Sequence, residues 1–324
     1  MKAIRIHQYG GPEVLRYEEA AVPEPGPGEA LVQIHVSGVN FVDTYVRSGL
    51  YKQPSFPFTP GAEGSGIVAK VGPNVTDVRV GDRVAYATSL GSYAELAAVP
   101  SWKLAVLPQS VDFRAGAAIM LQGLTAHYLT TSTFPLKAGQ TALIHAGAGG
   151  VGLLLIQLAK KIGATIIATA GTAEKAALAR GAGANETIVY SSQDFEAEVK
   201  KITNGKGVDV VYDAVGAATW EKSLNSLKPR GYLIFYGNAS GPVPPFDPLV
   251  LMKGSLFVTR PTLVHYAASR EEVQWRSSEL FSWLSSGELR LKHDFVYPLT
   301  EAARAQTDLE ARRTTGKVLL QVKE

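Results

Sequence analysis

The chain has 324 residues, of which 46% are hydrophobic and 19% charged, so it is long enough to bury two separate cores. Its formal charge of +3 is small, and the 32 basic residues are dispersed, which argues against a nucleic-acid partner. Cysteine is absent, which excludes disulfides, thiolate nucleophiles and cysteine-ligated metal sites.

The first third of the chain is predicted to form a mainly β domain. Residues 1–9 alternate polar and apolar side chains as a strand does, and they lack the apolar block of a signal peptide. Similar stretches at 30–36 and 66–71 are separated by turn formers such as Gly81-Asp82. No apolar run reaches membrane-spanning length, so we expect a cytoplasmic protein without a membrane partner.

From about residue 124 the pattern changes to strands that alternate with helices. The predicted strands are Thr141 to Ala146, Thr165 to Thr169, Thr187 to Tyr190, Val208 to Tyr212, Tyr232 to Tyr236 and Ser255 to Thr259. The predicted helices are Val151 to Ile162, Ala173 to Arg180, Asp194 to Thr203 and Thr219 to Ser226. This alternation predicts an α/β fold with a doubly wound, six-stranded parallel sheet of the Rossmann type.

The C-terminal part is predicted to return to the first domain. It has an amphipathic stretch at 271–286, a short strand at 295–297, a helix at 301–311 and a final apolar strand at 318–322. The predicted domains are therefore residues 1–123 with 265–324, and residues 124–264.

A glycine-rich turn follows the first strand of the second domain. Gly147, Gly149 and Gly152 form a G-x-G-x-x-G sequence that opens an apolar helix. The first glycine permits the tight turn, the second lets the backbone approach a pyrophosphate, and the third lets helix and strand pack closely. Free amides at the helix N-terminus favour bound negative charge, so the segment predicts a dinucleotide site.

The cofactor is predicted to be NADPH. An NAD site places a carboxylate about 20 residues after the glycines, where it binds the ribose hydroxyls. Here the second strand ends in an uncharged turn that contains Gly171 and Thr172, and Lys175 follows it. The lysine and the turn would bind a 2′-phosphate, which a carboxylate would repel. The alternative is that Lys175 is a solvated residue of the next helix.

The order of several motifs resembles the medium-chain dehydrogenase/reductase superfamily. These motifs are 25–32, Gly61-Ala62-Glu63-Gly64-Ser65-Gly66, Gly81-Asp82-Arg83-Val84 and the glycine turn. In the zinc alcohol dehydrogenases of this superfamily, a histidine ligand stands where this chain has Ala62, and a cysteine ligand where it has Asn40. The six histidines show no metal-ligand spacing, so no metal is expected and alcohol oxidation is disfavoured.

Further segments resemble the zinc-free quinone oxidoreductases, the group that includes zeta-crystallin. They are 40–49, 122–126, 211–216, 235–238 and 258–261. The resemblance implies a GroES-like catalytic domain beside the Rossmann domain, and NADPH-dependent reduction of a quinone by hydride or single-electron transfer. It also implies a homodimer that pairs through the strand Ser255 to Thr259.

The same resemblance implies roles for individual residues. The catalytic residues are Asn40, Asp43, Tyr45 and Thr125. In addition to the glycines, Gly171, Thr172 and Lys175, the cofactor contacts are Asn40, Phe41, Tyr45, Thr125, Tyr128, Gly150, Val151, Tyr190, Val215, Gly237, Asn238, Ala239, Ser240, Pro261, Thr262, Leu263 and Arg312.

Structural roles remain open for several of these residues. Asn40 and Asp43 have an alternative as turn or cap residues, Tyr45 and Tyr190 as packing residues, and Asp213 as the cap of the turn after its strand. Two other functions remain open as well: NADPH-dependent reduction of α,β-unsaturated aldehydes and ketones, and a non-catalytic NADPH- or RNA-binding role. No obligatory proton donor is assigned, because the reduced quinone oxygen can take its proton from water or from Tyr45.

Overall fold

The structure is a computed structural model that describes residues 1–323. It divides into two compact units, Met1–Leu124 with Tyr266–Glu324, and Thr125–His265. None of the helices in the described part of the chain has the length and apolar character needed to cross a membrane.

The secondary structure comprises strands, α-helices, short 3-10 helices and a π-helical segment at Leu129–Thr133. The strands are β1 (Lys2–Arg5), β2 (Arg16–Glu19), β3 (Glu29–Val39), β4 (Glu63–Val71), β5 (Arg83–Ala87), β6 (Leu96–Pro100), β7 (Ala105–Val106), β8 (Thr141–Ile144), β9 (Thr165–Ala170), β10 (Glu186–Val189), β11 (Val208–Asp213), β12 (Leu227–Phe235), β13 (Phe257–Thr259), β14 (Phe295–Pro298) and β15 (Val318–Gln321). The helices are α1 (Phe41–Ser48), α2 (Phe113–Tyr128), α3 (Gly150–Ile162), α4 (Ala173–Ala182), α5 (Phe195–Ile202), α6 (Trp220–Asn225), α7 (Leu263–Tyr266), α8 (Arg270–Ser285) and α9 (Ala302–Glu310).

The first unit is built on the long strand β3. A seven-stranded sheet has the order β14-β15-β3-β4-β5-β7, and β6 pairs with the first half of β3. Alternate side chains of β3, such as Val32 and Ile34, are fully buried in a core that includes Val84 and Val99. The last strand, β15, lies antiparallel to β3, so the C-terminal strand is part of the same sheet.

The second unit is the predicted parallel sheet. Its strand order is β10-β9-β8-β11-β12-β13, and every neighbouring pair is parallel. This is the doubly wound arrangement in which the order reverses beside the first strand. Strand β8 ends at Ile144, two residues before the predicted end, because Ala146 has a φ of 53° and begins the glycine turn.

Within the first unit, Arg47 of α1 connects segments that are far apart in the sequence. Its guanidinium donates to the Gly10 carbonyl at 3.2 Å, to the Gln306 side chain at 2.6 Å and to the Glu310 carboxylate at 2.8 Å. The Arg47 side chain is buried, and both of its side-chain partners lie on α9. The side chain therefore joins α1 to the C-terminal helix and to the N-terminal loop.

We predict that Arg47→Met lowers the free energy of unfolding by about 2 to 3 kcal/mol, because the Gln306 oxygen loses its buried charged donor. Arg304→Met is the control, since Arg304 forms a surface pair with Glu301 and its side chain is 68% exposed. The control should change stability by less than about 0.5 kcal/mol. Chemical denaturation measures both, and equal effects of the two substitutions would contradict the prediction.

Candidate functional site

The side chain of Asn40 is held in a buried network at the end of β3. Its carbonyl oxygen accepts from the Lys317 ammonium at 2.8 Å and from the Gln122 side chain at 3.5 Å. Its amide donates to the Glu63 carboxylate at 2.9 Å. Asn40 is 5% exposed, so its amide group is oriented by the protein and has little contact with solvent.

Glu63 and Lys317 form the charged centre of this network. Glu63 is fully buried at the start of β4, and Lys317, immediately before β15, is almost as buried. The Lys317 ammonium contacts one oxygen of the Glu63 carboxylate, and the backbone amide of Leu121 donates to the other. The carboxylate is therefore compensated by an ammonium group and by hydrogen bonds, as a buried charge requires.

Asp43 lies one turn into α1 and shares this environment. One carboxyl oxygen accepts from the Asn40 backbone amide at 2.8 Å and from the Tyr93 hydroxyl at 3.1 Å. The other oxygen is buried and has no hydrogen-bond partner. Burial raises the pKa of Asp43 to about 7, although the hydrogen bond from Asn40, the Lys317 charge and the hydrogen bond from Tyr93 oppose the rise. Asp43 and the N-cap residue Asn40 form a capping box at the start of α1, which agrees with the alternative role of Asp43 as a cap residue.

Aromatic side chains surround the partly exposed Tyr45 on the same helix. The rings of Tyr45 and Tyr51 meet edge to face at a centroid distance of 5.4 Å, and the Phe41 ring lies 6.4 Å from that of Tyr45. The amide of Tyr51 donates to the Tyr45 carbonyl at 3.0 Å, which fixes the spacing of the pair. Tyr51 is 39% exposed, so the pair offers an accessible aromatic surface.

The residues around Asn40 do not provide a zinc site. Ala62 presents only a buried methyl group next to Glu63. The Asn40 side chain is hydrogen-bonded to Lys317 and Glu63, and the chain has no cysteine. Within residues 1–323, no group of three or more His, Cys, Asp or Glu is placed to bind a metal ion. A tetrahedral site needs about four such ligands, and this set does not fit one.

In the second unit, the glycine turn joins β8 to α3. The Gly147 amide donates to the Thr169 carbonyl at 2.8 Å, and the Gly149 amide donates to the Ala146 carbonyl at 2.9 Å. A Cβ at Gly152 would collide with that same carbonyl oxygen, so only glycine permits this closeness. The N-cap residue Gly149 has no side chain, so no side-chain group caps the start of α3. The amides of Gly150 and Val151 there suit an anionic ligand.

The turn after β9 has the composition expected of a 2′-phosphate site. Thr172 caps α4 by accepting from the Lys175 amide at 3.3 Å. A Cβ at Gly171 would lie 2.8 Å from the Tyr190 hydroxyl, so these two residues are in close contact. Gly171, Thr172, Lys175 and Tyr190 are thus brought together. Strand β9 itself ends without a carboxylate, whereas Glu174 lies in the first turn of α4 and its side chain bonds to Thr172.

Two loops lie side by side at the ends of β11 and β12. Asp213 accepts from the amides of Val215 at 2.7 Å and Gly216 at 3.0 Å, which confirms it as the cap of its turn. The amides of Ala239 and Ser240 donate to carbonyls of the first loop at 3.1 and 2.9 Å. Predicted cofactor residues on both loops are therefore adjacent: Val215, Gly237, Asn238, Ala239 and Ser240.

The remaining predicted residues are distributed over both units. Thr125 and Tyr128 are buried in the last turn of α2. Tyr128 lies near Tyr236, whose pKa is raised by burial and, to a smaller extent, by Asp213 and Tyr128. Arg260 donates to the carbonyls of Phe235 and Pro261, which holds the segment Pro261, Thr262 and Leu263 next to the end of β12. Arg312 lies after α9 in the first unit.

Sequence reasoning missed several residues of this environment, among them Glu63, which stands only within a family motif. Lys317 was visible only as a charge before an apolar strand, and Gln122 only as part of a family segment. Tyr51 follows Gly49 and Leu50, and no helical or strand periodicity in this segment would place Tyr51 next to Tyr45. Each enters the site through a tertiary contact or a turn.

Comparisons with known proteins agree with these observations. The family model "Alcohol dehydrogenase GroES-like domain" matches residues 26–109, and the model "Zinc-binding dehydrogenase" matches residues 150–282. A quinone oxidoreductase of Pseudomonas aeruginosa is 50% identical, over 98% of this chain and 99% of its own length. A 2-haloacrylate reductase of a Burkholderia species is 42% identical, over 97% of each chain. The crystal structure of Escherichia coli quinone oxidoreductase complexed with NADPH matches with a TM-score of 0.97 and 45% identity, over 99% of this chain and 100% of the other.

We predict that Asp43→Asn stabilises the protein increasingly as the pH rises. Native Asp43 keeps its proton up to a pH of about 7, whereas the unfolded chain releases it near its ordinary pKa of 3.8. Unfolding then releases a proton, so wild-type stability falls as the pH rises between these two values. Asparagine removes this dependence, and the variant should gain about 2 to 4 kcal/mol relative to the wild type between pH 4 and pH 8.

Denaturant unfolding at a series of pH values measures this difference. Glu19→Gln is the matched control, because the Glu19 side chain is 83% exposed in the same unit and should follow the wild type at every pH. A stability difference between Asp43→Asn and wild type that does not vary with pH would contradict a protonated Asp43.

Proposed function

The chain belongs to the quinone oxidoreductase family of the medium-chain dehydrogenase/reductase superfamily, and from this we propose that it reduces quinones with NADPH as the electron donor. The observation that carries the proposal is the set of backbone loops along one edge of the parallel sheet. The glycine turn, the turn at Gly171 and the paired loops at Val215 and Gly237 all follow strands at their carboxyl ends. Ligands of open α/β sheets bind at that edge.

These residues fit NADPH group by group. The uncapped amides of Gly150 and Val151 suit the pyrophosphate, and Lys175 with the Thr172 turn suits the 2′-phosphate. The loops at Val215 and Gly237 would receive the nicotinamide half. NADPH supplies the reducing equivalents when it is bound, and the protein supplies binding and orientation.

Residues of the first unit suit the acceptor. Quinones are planar and apolar, and the partly exposed ring of Tyr45 and the exposed ring of Tyr51 offer a surface on which such a molecule can pack. Asp43 and Asn40 are buried, so we assign them positioning roles. Asp43 accepts from the Asn40 amide at the start of α1, and the Asn40 side chain connects this end of the helix to Lys317. The Tyr45 hydroxyl or water can deliver the proton, whether the electrons are transferred as hydride or singly.

We further propose that the reaction proceeds without zinc, although one matching family model carries the name of zinc-binding dehydrogenases. The support is the donor set, in which Ala62 and Asn40 replace metal ligands and Lys317 already compensates Glu63. Without a Lewis acid to lower the pKa of an alcohol, reduction of an easily reduced acceptor is favoured over alcohol oxidation. The cytoplasmic location and the lack of a nucleic-acid partner stay predictions.

A second activity is favoured by one relative. The Burkholderia enzyme is a 2-haloacrylate reductase, and reduction of an activated carbon–carbon double bond needs the same donor and the same orientation of a planar acceptor. We therefore keep reduction of α,β-unsaturated carbonyl compounds as the alternative.

A single assay series tests the proposed function. The purified protein is titrated with NADPH and NADH, and turnover is then measured with 1,4-benzoquinone and with a matched enone. We expect tighter binding of NADPH and faster turnover of the quinone. Faster turnover of the enone would favour the alternative, and binding of NADPH without oxidation by any acceptor would favour a non-catalytic role.

Lys175→Ala tests the choice of cofactor. Loss of the ammonium should raise the Kd for NADPH about tenfold and leave the Kd for NADH within about twofold, because only NADPH carries the 2′-phosphate. Lys206→Ala is the control, since Lys206 is an exposed lysine on another loop of the same unit. Equal losses of affinity for both nucleotides, or no loss at all, would refute the role of Lys175.

We also propose that the protein is a homodimer that pairs through β13. This strand is at the edge of the second unit's sheet and is only three residues long. Exposed apolar side chains lie on it and on the preceding turn: Leu249, Val250, Met252 and Phe257. An open strand edge with an adjacent apolar patch is a typical interface, and an antiparallel partner strand would continue the sheet.

Replacing Leu249 and Met252 together by Asp should convert the dimer to a monomer, because two charges would be buried in the interface. Light scattering after size exclusion measures the mass. The control is Val80→Asp, which places one charge at a 60% exposed position in the first unit. A wild type with the mass of one chain, or a double variant that still dimerises, would disprove this interface.

A further inference from the structure

A chain of hydrogen bonds links four buried polar side chains in the second unit, near the carboxyl ends of β8, β9 and β11. His145 follows β8, Thr169 lies in β9, Asp213 ends β11, and Ser223 lies on α6. All four are no more than 1% exposed. The His145 ring packs edge to face against Phe195 at 4.8 Å, so its orientation is also fixed by an apolar contact.

The distances define three consecutive hydrogen bonds. Nδ1 of His145 lies 2.9 Å from the Thr169 hydroxyl, and Nε2 lies 2.9 Å from the Ser223 hydroxyl. The Ser223 hydroxyl in turn donates to Oδ2 of Asp213 at 3.0 Å. Burial lowers the pKa of His145, against the opposing effect of Asp213, so the imidazole is neutral in this position.

The direction of each hydrogen bond follows from the number of available protons. Ser223 has one hydroxyl proton and uses it on Asp213, so Nε2 of His145 must donate to Ser223. A neutral imidazole then has an unprotonated Nδ1, which accepts from the Thr169 hydroxyl. All donors therefore point from Thr169 toward Asp213, an arrangement in which successive hydrogen bonds strengthen one another.

Both ends of the chain hold loops assigned to the nucleotide. The Thr169 carbonyl accepts from the Gly147 amide of the glycine turn. Asp213 uses Oδ1 for the amides of Val215 and Gly216, while Oδ2 accepts from Thr219 at 2.7 Å and from Ser223. Removal of the Ser223 hydroxyl would leave a buried N–H without an acceptor and weaken the restraint on the 213–216 turn.

We propose that Thr169, His145 and Ser223 form a one-way hydrogen-bond chain that positions the 213–216 turn for the nicotinamide half of NADPH. The proposal rests on the proposed function of this edge as the NADPH site. Its members are positioning residues, because each is buried and acts on the nucleotide through the loop that it holds. His145 is specified as the Nε2–H tautomer.

The test compares Ser223→Ala with Ser226→Ala. Ser226 is equally buried and follows three residues later at the end of α6, where its hydroxyl donates to the Lys222 carbonyl. Ser223→Ala should raise the Kd for NADPH about tenfold and leave the Kd for adenosine 2′,5′-bisphosphate within about twofold, because that fragment lacks the nicotinamide half. Ser226→Ala should change neither value, and Ser223→Thr, which restores a hydroxyl, should recover NADPH binding.

Nitrogen-15 NMR of labelled histidines gives a second, independent readout. We expect the His145 resonance, identified by its loss in His145→Gln, to show the Nε2–H tautomer between about pH 6 and pH 8. An Nδ1–H tautomer, or equal NADPH affinities of Ser223→Ala and Ser226→Ala, would overturn this proposal alone. A wild type that does not bind NADPH would overturn the proposed function, and this inference with it.

Discussion

A carboxylate that is removed from water needs a positive partner or several hydrogen bonds, and in the first unit Lys317 supplies the positive charge to Glu63. The two residues are 254 positions apart, so the ion pair forms only when the C-terminal strand β15 is paired with β3. The same ammonium binds Asn40, the residue that precedes α1. The start of that helix, and with it the direction of Tyr45, thus depends on this buried charge pair.

The protein handles its other buried ionisable groups in different ways. Asp43 has too few donors, and burial therefore holds its pKa at about 7. Asp213 instead accepts four hydrogen bonds, two of them from backbone amides. A protonated Asp43 adds no negative charge near α1, which suits a reaction that builds negative charge on the acceptor oxygens. A fully hydrogen-bonded Asp213 suits a residue whose task is to hold a loop.

The shared requirements of two reactions explain why the family contains enzymes with different acceptors. Quinones and activated alkenes are both planar, and neither needs a metal to accept electrons from NADPH. The edge proposed to bind the nucleotide is built mainly from backbone amides and glycines, which are insensitive to the nature of the acceptor. Under the proposed function, selectivity between acceptors would depend on side chains such as Tyr45 and Tyr51, which present aromatic surface without fixed charge.

The sequence by itself determined the features that depend on local pattern. The parallel sheet and the glycine turn follow from hydrophobic periodicity and from glycines at set positions, and the absence of cysteine and of a histidine at position 62 follows from the residue types alone. Only the tertiary structure decided which distant residues meet. Lys317, Gln122 and Glu63 converge on Asn40 through sheet pairing and helix packing, and His145 becomes part of a hydrogen-bond chain because three parallel strands end side by side. Such contacts have no local period in the sequence, and the burial that sets the pKa of Asp43 exists only in the folded chain.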